Sequence, residues 1–415
     1  MGHYLNPQNR KFEIAINSDI YVDKTGLIAS TNSVVNTEQR YMCVSRPRRF
    51  GKSLAADMLA TYYDSVYGSH ELFVPFEIIH DDNFEVHFGK YDVIALNMQD
   101  FIDDYDDMDI VIEQIQSLLI GEIQTKYTEL PVDEHTNLFR MMEDVYRIYN
   151  KQFVILIDEW DSVFRVHKNN RNAHERYLTF LRRWLKDRSY IALAYMTGIL
   201  PIKKYGVYST LNMFDEFSMT FQGPLAKYTG FTQSEVSELC SIYNMNLQDM
   251  ERWYNGYKLV DREDTIAIYS PKSVVTALLM GRFSGYWNKT EDFDALKIYI
   301  DMDYNGLREA IVALLAGDRI HIDISSFHND MVTFSSYEDI LTLLVHLGYL
   351  GYDFDTEEVF IPNKEISKEF ITAMKGAYGD IVKLVKASMD LLRSTWELDY
   401  DKKNKEHSVI IETLK

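Results

Sequence analysis

The stretch YMCVSRPRRFGKS, residues 41–53, constrains this chain more than any other. It reads as a short apolar strand entering a phosphate-binding loop and then a helix. In Gly51-Lys52-Ser53, glycine lets the backbone curl around phosphate, lysine reaches the β- and γ-phosphates, and serine offers a hydroxyl to Mg²⁺. The helix opening at Lys52 adds its N-terminal amides and dipole to the same anion site. The first glycine of the general GxxxxGK[ST] pattern is replaced by Arg46. A turn opening an ordinary helix would look similar, so a second element is needed. It comes about 105 residues later as FVILIDEWD, 153–161. This is a buried strand ending in Asp158, suited to hold Mg²⁺ through the loop serine, and Glu159, suited to orient or deprotonate an attacking water.

The rest of the first half supplies the strands and helices that such a pair requires. Residues 1–40 read as a lead-in beside the nucleotide base. There YVDKTGLIAS passes from a strand-like start into a helix with Asp23 or Thr25 near its cap. The helix after the loop carries Leu54, Met58, Leu59, Tyr62 and Tyr63 on one face and is expected to stop near Gly68. Strands are expected at 91–98, 153–161, 190–198 and 216–222, and helices near 110–126, 135–150 and 174–188. That alternation is an α/β plan with a parallel sheet flanked by helices, in which ligands sit at the carboxyl ends of strands. Thr197, at one such end, is a candidate catalytic contact to the γ-phosphate or attacking water; the alternative is a hydroxyl satisfied by backbone. The aspartates of FIDDYDDMD read as a solvated loop, not a metal site.

From residue 223 the chain reads as a helical lid to about 325, with a Thr232–Glu235 capping box and Pro271 in a first helical turn. Residues 326–390 read as a helix, an acidic two-stranded wing bearing Asp353, Asp355, Glu357 and Glu358, and another helix. This is a winged-helix-like module whose wing would repel phosphate.

The ordered set YVDKTGLI, SRPRRFGKS, LIDEWD, TGILPI, GFTQSEV, WYNGYKL, YSPKSVV, GYW and VFIPNKEI resembles the AAA-ATPase-like family of bacterial P-loop NTPases over about residues 4–410. The family's RPRRFGKS loop also carries an arginine at the place of Arg46. The resemblance implies an AAA-ATPase-like domain over 1–222, with ATP and Mg²⁺ as cofactors. It puts Arg46, Pro47, Arg48, Arg49, Phe50, Gly51, Lys52, Ser53 and Leu54 around the nucleotide, Ser53 and Asp158 on the metal, and Glu159 as base. Relatives usually carry a PD-(D/E)XK nuclease domain behind this part. Residues 391–415 resemble only its opening, so no nuclease activity is expected of this chain.

Composition narrows the functional classes. A chain of 415 residues with 46% hydrophobic content has room for several cores. A formal net charge of −20 argues against a broad nucleic-acid or anionic-membrane footprint. Local arginines, Arg46, Arg48 and Arg49, with Arg182, Arg183, Lys186 and Arg188, keep nucleic acid as a minor alternative. Two cysteines suit a reducing compartment, and no apolar run is long enough to span a bilayer, so a cytoplasmic protein is expected. The functions in contention are an ATP-hydrolysing or ATP-switched regulatory module acting on a protein partner or a second copy, and a non-hydrolysing module locked by Mg-ATP.

Overall fold

The computed structural model describes residues 2–374 apart from 9, 132, 134, 135, 203–210, 222, 262, 263, 288–303, 305 and 329–333. The expected nuclease remnant at 391–415 lies outside the described residues. Five strands form an all-parallel sheet: β1 (Tyr41–Ser45), β2 (Asp92–Asn97), β3 (Phe153–Asp158), β4 (Ile191–Gly198) and β5 (Asp215–Phe217), in the order β2-β3-β4-β1-β5. Their side chains alternate between two cores, as a pleat with both faces covered requires. Tyr41, Cys43, Phe153, Ile155 and Ile157 enter one core, and Met42, Val44, Val154 and Leu156 the other. Helices Met108–Lys126, Leu138–Tyr149 and Arg171–Leu185 cover the first face, each opened by an Asp or Asn side chain accepting a backbone amide. Helix Lys52–Tyr63 covers the second.

Several boundaries differ from the sequence reading for local reasons. Residues 21–24 form no strand; Thr25 precedes helix Gly26–Asn32, and Asp23 accepts its amide at 2.8 Å. The helix after the loop ends at Tyr63, not near Gly68, because the Asp64 carboxylate takes the amides of Val66 and Tyr67 and turns the chain. The acidic run at 101–109 is half helix: Met98–Asp104 runs through it, and Asp107 caps the next helix. β5 stops at Phe217, where Ser218 N donates to Phe221 O in a tight turn.

The larger correction concerns 223–325, read as helical. It contains a three-stranded antiparallel sheet, β6 (Phe231–Thr232), β7 (Tyr257–Asp261) and β8 (Asp264–Tyr269), in the order β6-β8-β7. The period-two burial of Tyr257, Leu259 and Ile268 drives it. Helices Gln233–Ile242, Leu247–Tyr254 and Pro271–Met280 pack on it around a third core. The first opens with the expected Thr232–Glu235 capping box, and Pro271 sits in the first turn of the last. Beyond come helix Leu307–Ala316, β9 (Ile320–His321), helix Tyr337–His346, the hairpin of β10 (Gly351–Asp353) and β11 (Glu358–Phe360), and a helix described from 364. β9 pairs with β11 on the outer side of that hairpin. Among the described residues no helix is long and apolar enough to cross a membrane.

Candidate functional site

β4 lies between β1 and β3, so the loops that leave all three strands meet at one edge of the sheet. Register fixes their levels: Val44 stands beside Thr197 and Ser45 beside Gly198, while Ile157 stands beside Met196. The loop after β1 closes through two left-handed residues, Arg49 (φ 69°) and Gly51 (φ 89°), the latter capping helix Lys52–Tyr63. A Cβ at Gly51 would touch nothing within 4 Å, so glycine serves conformation there, not space. Lys52 is buried, and its ammonium donates to Pro47 O at 3.0 Å, curling the loop over itself. Burial pulls its pKa below the ordinary lysine value, against the attraction of Glu159, Asp158 and Asp161. Around this loop opens a cavity of about 430 Å³, lined by Arg48, Arg49, Gly51, Lys52, Ser53, Leu54, Glu159, Pro271 and Lys272.

Arg46 does not belong to that cavity, which corrects the reading of it as a nucleotide contact. It is 0% exposed, and its guanidinium donates to Ser45 O (2.9 Å), Phe217 O (2.8 Å) and Thr229 Oγ1 (3.1 Å). It ties β1 to the end of β5 and to the turn before β6. Pro47 contributes its carbonyl to Lys52. Phe50 turns away from the cavity onto Tyr257 and Trp287, and its carbonyl takes the Gly230 amide at 2.8 Å.

On the β3 side, Asp158 is buried and its Oδ1 accepts the Thr197 hydroxyl and, at 3.0 Å, the Glu159 amide. Thr197 is fully buried, so its hydroxyl is spent on a carboxylate and not on backbone. Glu159 has a left-handed backbone (φ 52°) and forms an ion pair with Arg165. Burial raises the Glu159 carboxyl above its ordinary range, opposed by Lys52 and Arg165. Arg165 also reaches Asp161 at 3.2 Å, while Asp161 Oδ2 accepts the amides of Ile199 and Leu200. Asp161 therefore holds the chain after β4. Gly198 permits the close approach: a Cβ there would lie 2.6 Å from Asp161 Oδ1 and from the Trp160 ring.

A second, mostly apolar cavity of about 260 Å³ adjoins the first and shares Gly51, Leu54, Pro271 and Lys272 with it. Ile20, Tyr21, Val22, Tyr228 and Phe231 line it. Sequence reasoning placed the N-terminal segment beside this region but did not find Arg165, Lys272 or Tyr228. Arg165 lies six residues past Glu159 on a short helix, and acid–base spacing of that kind was the only signal for it.

Several of the other sequence candidates are structurally occupied. Asp103 accepts from Gln99, and Asp109 pairs with Arg176. The guanidinia of Arg183 and Arg188 lie over the Phe139 ring, and Lys186 donates to Asn212. Asp353 of the acidic hairpin binds Lys258 and Arg319, which hold its carboxyl below the usual range. Among the described residues no group of three or more His, Cys, Asp or Glu is arranged to hold a metal alone.

Residues 10–208 match the AAA-ATPase-like family model, described as a predicted AAA-ATPase. The motif resemblance holds over that span. An uncharacterised protein from the vnfD 5′ region of Azotobacter chroococcum mcd 1 is 23% identical over 277 residues, 65% of this chain. The match spans about half the length of that relative. Among solved structures, the ORC2 protein of Aeropyrum pernix aligns over 92% of this chain and 99% of its own, at 10% identity and a TM-score of 0.39. The Cdc6p of Pyrobaculum aerophilum aligns over 90% and 97%, at 11% identity and a TM-score of 0.25.

Proposed function

With residues 10–208 matching the predicted AAA-ATPases, we propose that this chain binds Mg-ATP and hydrolyses it as a nucleotide-dependent regulatory switch. The observation that carries the reading is the pair of adjoining cavities, one lined by Arg48, Arg49, Lys52 and Lys272 over the Gly51-Lys52-Ser53 turn, the other apolar beside Tyr21 and Tyr228. Triphosphate chemistry suits the first. Lys52, Arg49, Arg48 and the first amides of helix Lys52–Tyr63 supply positive charge and donors. A nucleobase suits the second, where flat apolar surface is shed from water.

Ser53 and Asp158 fit Mg²⁺ as an ion that keeps phosphate and water ligands and asks few of the protein. Asp158 Oδ2 takes neither of the bonds that occupy Oδ1. Bound there, the ion would supply neutralising charge between the phosphates. Glu159 is the residue for accepting a proton from the attacking water, with Thr197 acting through Asp158 and not on the nucleotide itself. Arg165 limits that role while the ion pair persists, which favours a second reading, a nucleotide-locked module with negligible turnover. For the remainder of the chain we propose a lid that begins at 223 and ends before helix Leu307–Ala316, rebuilt around the β6-β8-β7 sheet. A winged-helix-like module, beginning at helix Leu307–Ala316 and not at 326, is supported by the pairing of β9 with β11. A protein partner or a second copy is the proposed object of the switch.

The test is calorimetric titration of Mg-ATP into the full chain and into Lys52→Ala, with phosphate release followed in parallel. Loss of at least about a hundredfold in affinity with an unchanged circular-dichroism spectrum is expected, since one charge-assisted contact and its neighbours' geometry are removed. Equal affinity would reject the site.

A further inference from the structure

The residues that line the phosphate cavity also hold the C-terminal part of the chain. Arg49 is the point of contact. While its side chain borders the cavity, its Nη1 donates to Tyr286 O at 3.1 Å and Trp287 O at 3.2 Å. The amides of the same two residues donate to Oε1 of Glu365, that of Trp287 at 2.9 Å. The peptide unit joining Tyr286 to Trp287 thus carries its carbonyl on a cation and its N–H on a carboxylate. Glu365 is 1% exposed, takes the Ser273 hydroxyl on its other oxygen at 2.8 Å, and stands in the first turn of the helix that begins at 364. Burial pushes its carboxyl upward, and Arg49 is among the groups that pull it back. The Trp287 ring rests between Phe50 of the loop and Tyr349 of the turn before β10.

We propose that nucleotide phosphates compete with the Tyr286 and Trp287 carbonyls for Arg49, so that filling the phosphate cavity releases the 284–287 segment and, through the bonds of Glu365 to the amides of the same two residues, loosens the helix beginning at 364. This rests on the nucleotide reading of the cavity. The sign follows from charge. A phosphate oxygen is an ionised acceptor and draws a guanidinium more strongly than a neutral peptide carbonyl does. An anion beside Arg49 also removes part of the field that stabilises a buried Glu365 through the intervening peptide. Phosphate on Arg49 therefore weakens the hold of Glu365 on the segment, and by linkage the effect is reciprocal. The bistable element is the 284–287 strap, and the difference between its two states is the set of acceptors that Arg49 serves.

Hydrogen exchange on the full chain, with and without saturating Mg-ATP, tests the proposal, with protection of residues 46–53 marking occupancy of the cavity. Exchange of amides in 284–287 and 364–374 is expected to rise severalfold on nucleotide addition. The variant Glu365→Gln, which removes the charge that holds the segment, is expected to bind Mg-ATP roughly five- to tenfold more tightly, within the usual range of coupling between sites. Unchanged or slower exchange in 284–287 while calorimetry shows nucleotide bound would overturn the competition and leave the nucleotide site standing. A wild-type chain that binds no nucleotide would overturn both. Should Glu365→Gln fail to fold, the wild-type exchange comparison decides alone.

Discussion

Replacing Arg46 separates the two roles an arginine can have in this loop. If its guanidinium served phosphate, Arg46→Ala would leave the fold intact and weaken Mg-ATP binding. The structure argues for the opposite. Arg46→Ala strips partners from two carbonyls and a hydroxyl, of which Ser45 O and Thr229 Oγ1 are buried and Phe217 O is half-buried. Each buried acceptor left alone costs about 1–3 kcal/mol. Because the Thr229 hydroxyl can rotate, the sum belongs at the low end, about 3–5 kcal/mol, a large share of the ~5–15 kcal/mol by which domains are stable. Part of this is offset, since burial disfavours the guanidinium charge and pulls its pKa down to about 10. Arg46→Met, which fills the volume and removes the charge, should therefore lose less than Arg46→Ala. Urea unfolding followed by circular dichroism gives the stabilities, and calorimetry below the transition gives Mg-ATP affinity. An Arg46→Ala chain with the wild-type midpoint and tenfold weaker nucleotide binding would refute this account.

Glu159→Gln keeps shape and loses the proton acceptor, so it should retain Mg-ATP and slow phosphate release at least about tenfold; equal rates would remove Glu159 as base. Asp57 is lifted to about 6, chiefly by burial, with Asp158 adding to the rise and Lys11 opposing it. A carboxyl with a raised folded-state pKa favours the fold below about pH 4 and loses that contribution as pH rises through 6. Asp57→Asn should then melt like wild type at pH 4 and be more stable at pH 8. With the side chain 32% exposed, the gain is about 1 kcal/mol after screening. A variant less stable than wild type at pH 8 would refute it.

What could be read from the sequence was what is encoded locally. GKS after an apolar run, an apolar run ending in Asp-Glu, and a Thr-x-x-Glu cap each occupy fewer than ten residues, and each took the expected place. Arg46 was misread because its acceptors, Phe217 and Thr229, lie more than 170 residues away and no spacing announces them. The same holds for Arg49, which reaches the carbonyls of Tyr286 and Trp287, and for the apolar cavity, assembled from 15–24, 50–58, 228–231 and 271–275. The β7–β8 hairpin is a different failure. Its alternation was legible, but the flanking helices set the expectation for the whole segment.

The position of β1 in the sheet bears on how the chain is made. β1 is buried along its whole length, yet its neighbours are β4, in which Ala194 pairs with Tyr41, and β5. A ribosome adding about 5–20 residues per second exposes β1 for roughly 8–30 s before either neighbour is translated. Throughout that interval an apolar strand with unpaired amides is available to other chains, and the turn that follows it has no sheet to stand on. Nascent chains should therefore depend on chaperones until residue 217 has left the exit tunnel, and should gain affinity for ATP only afterwards.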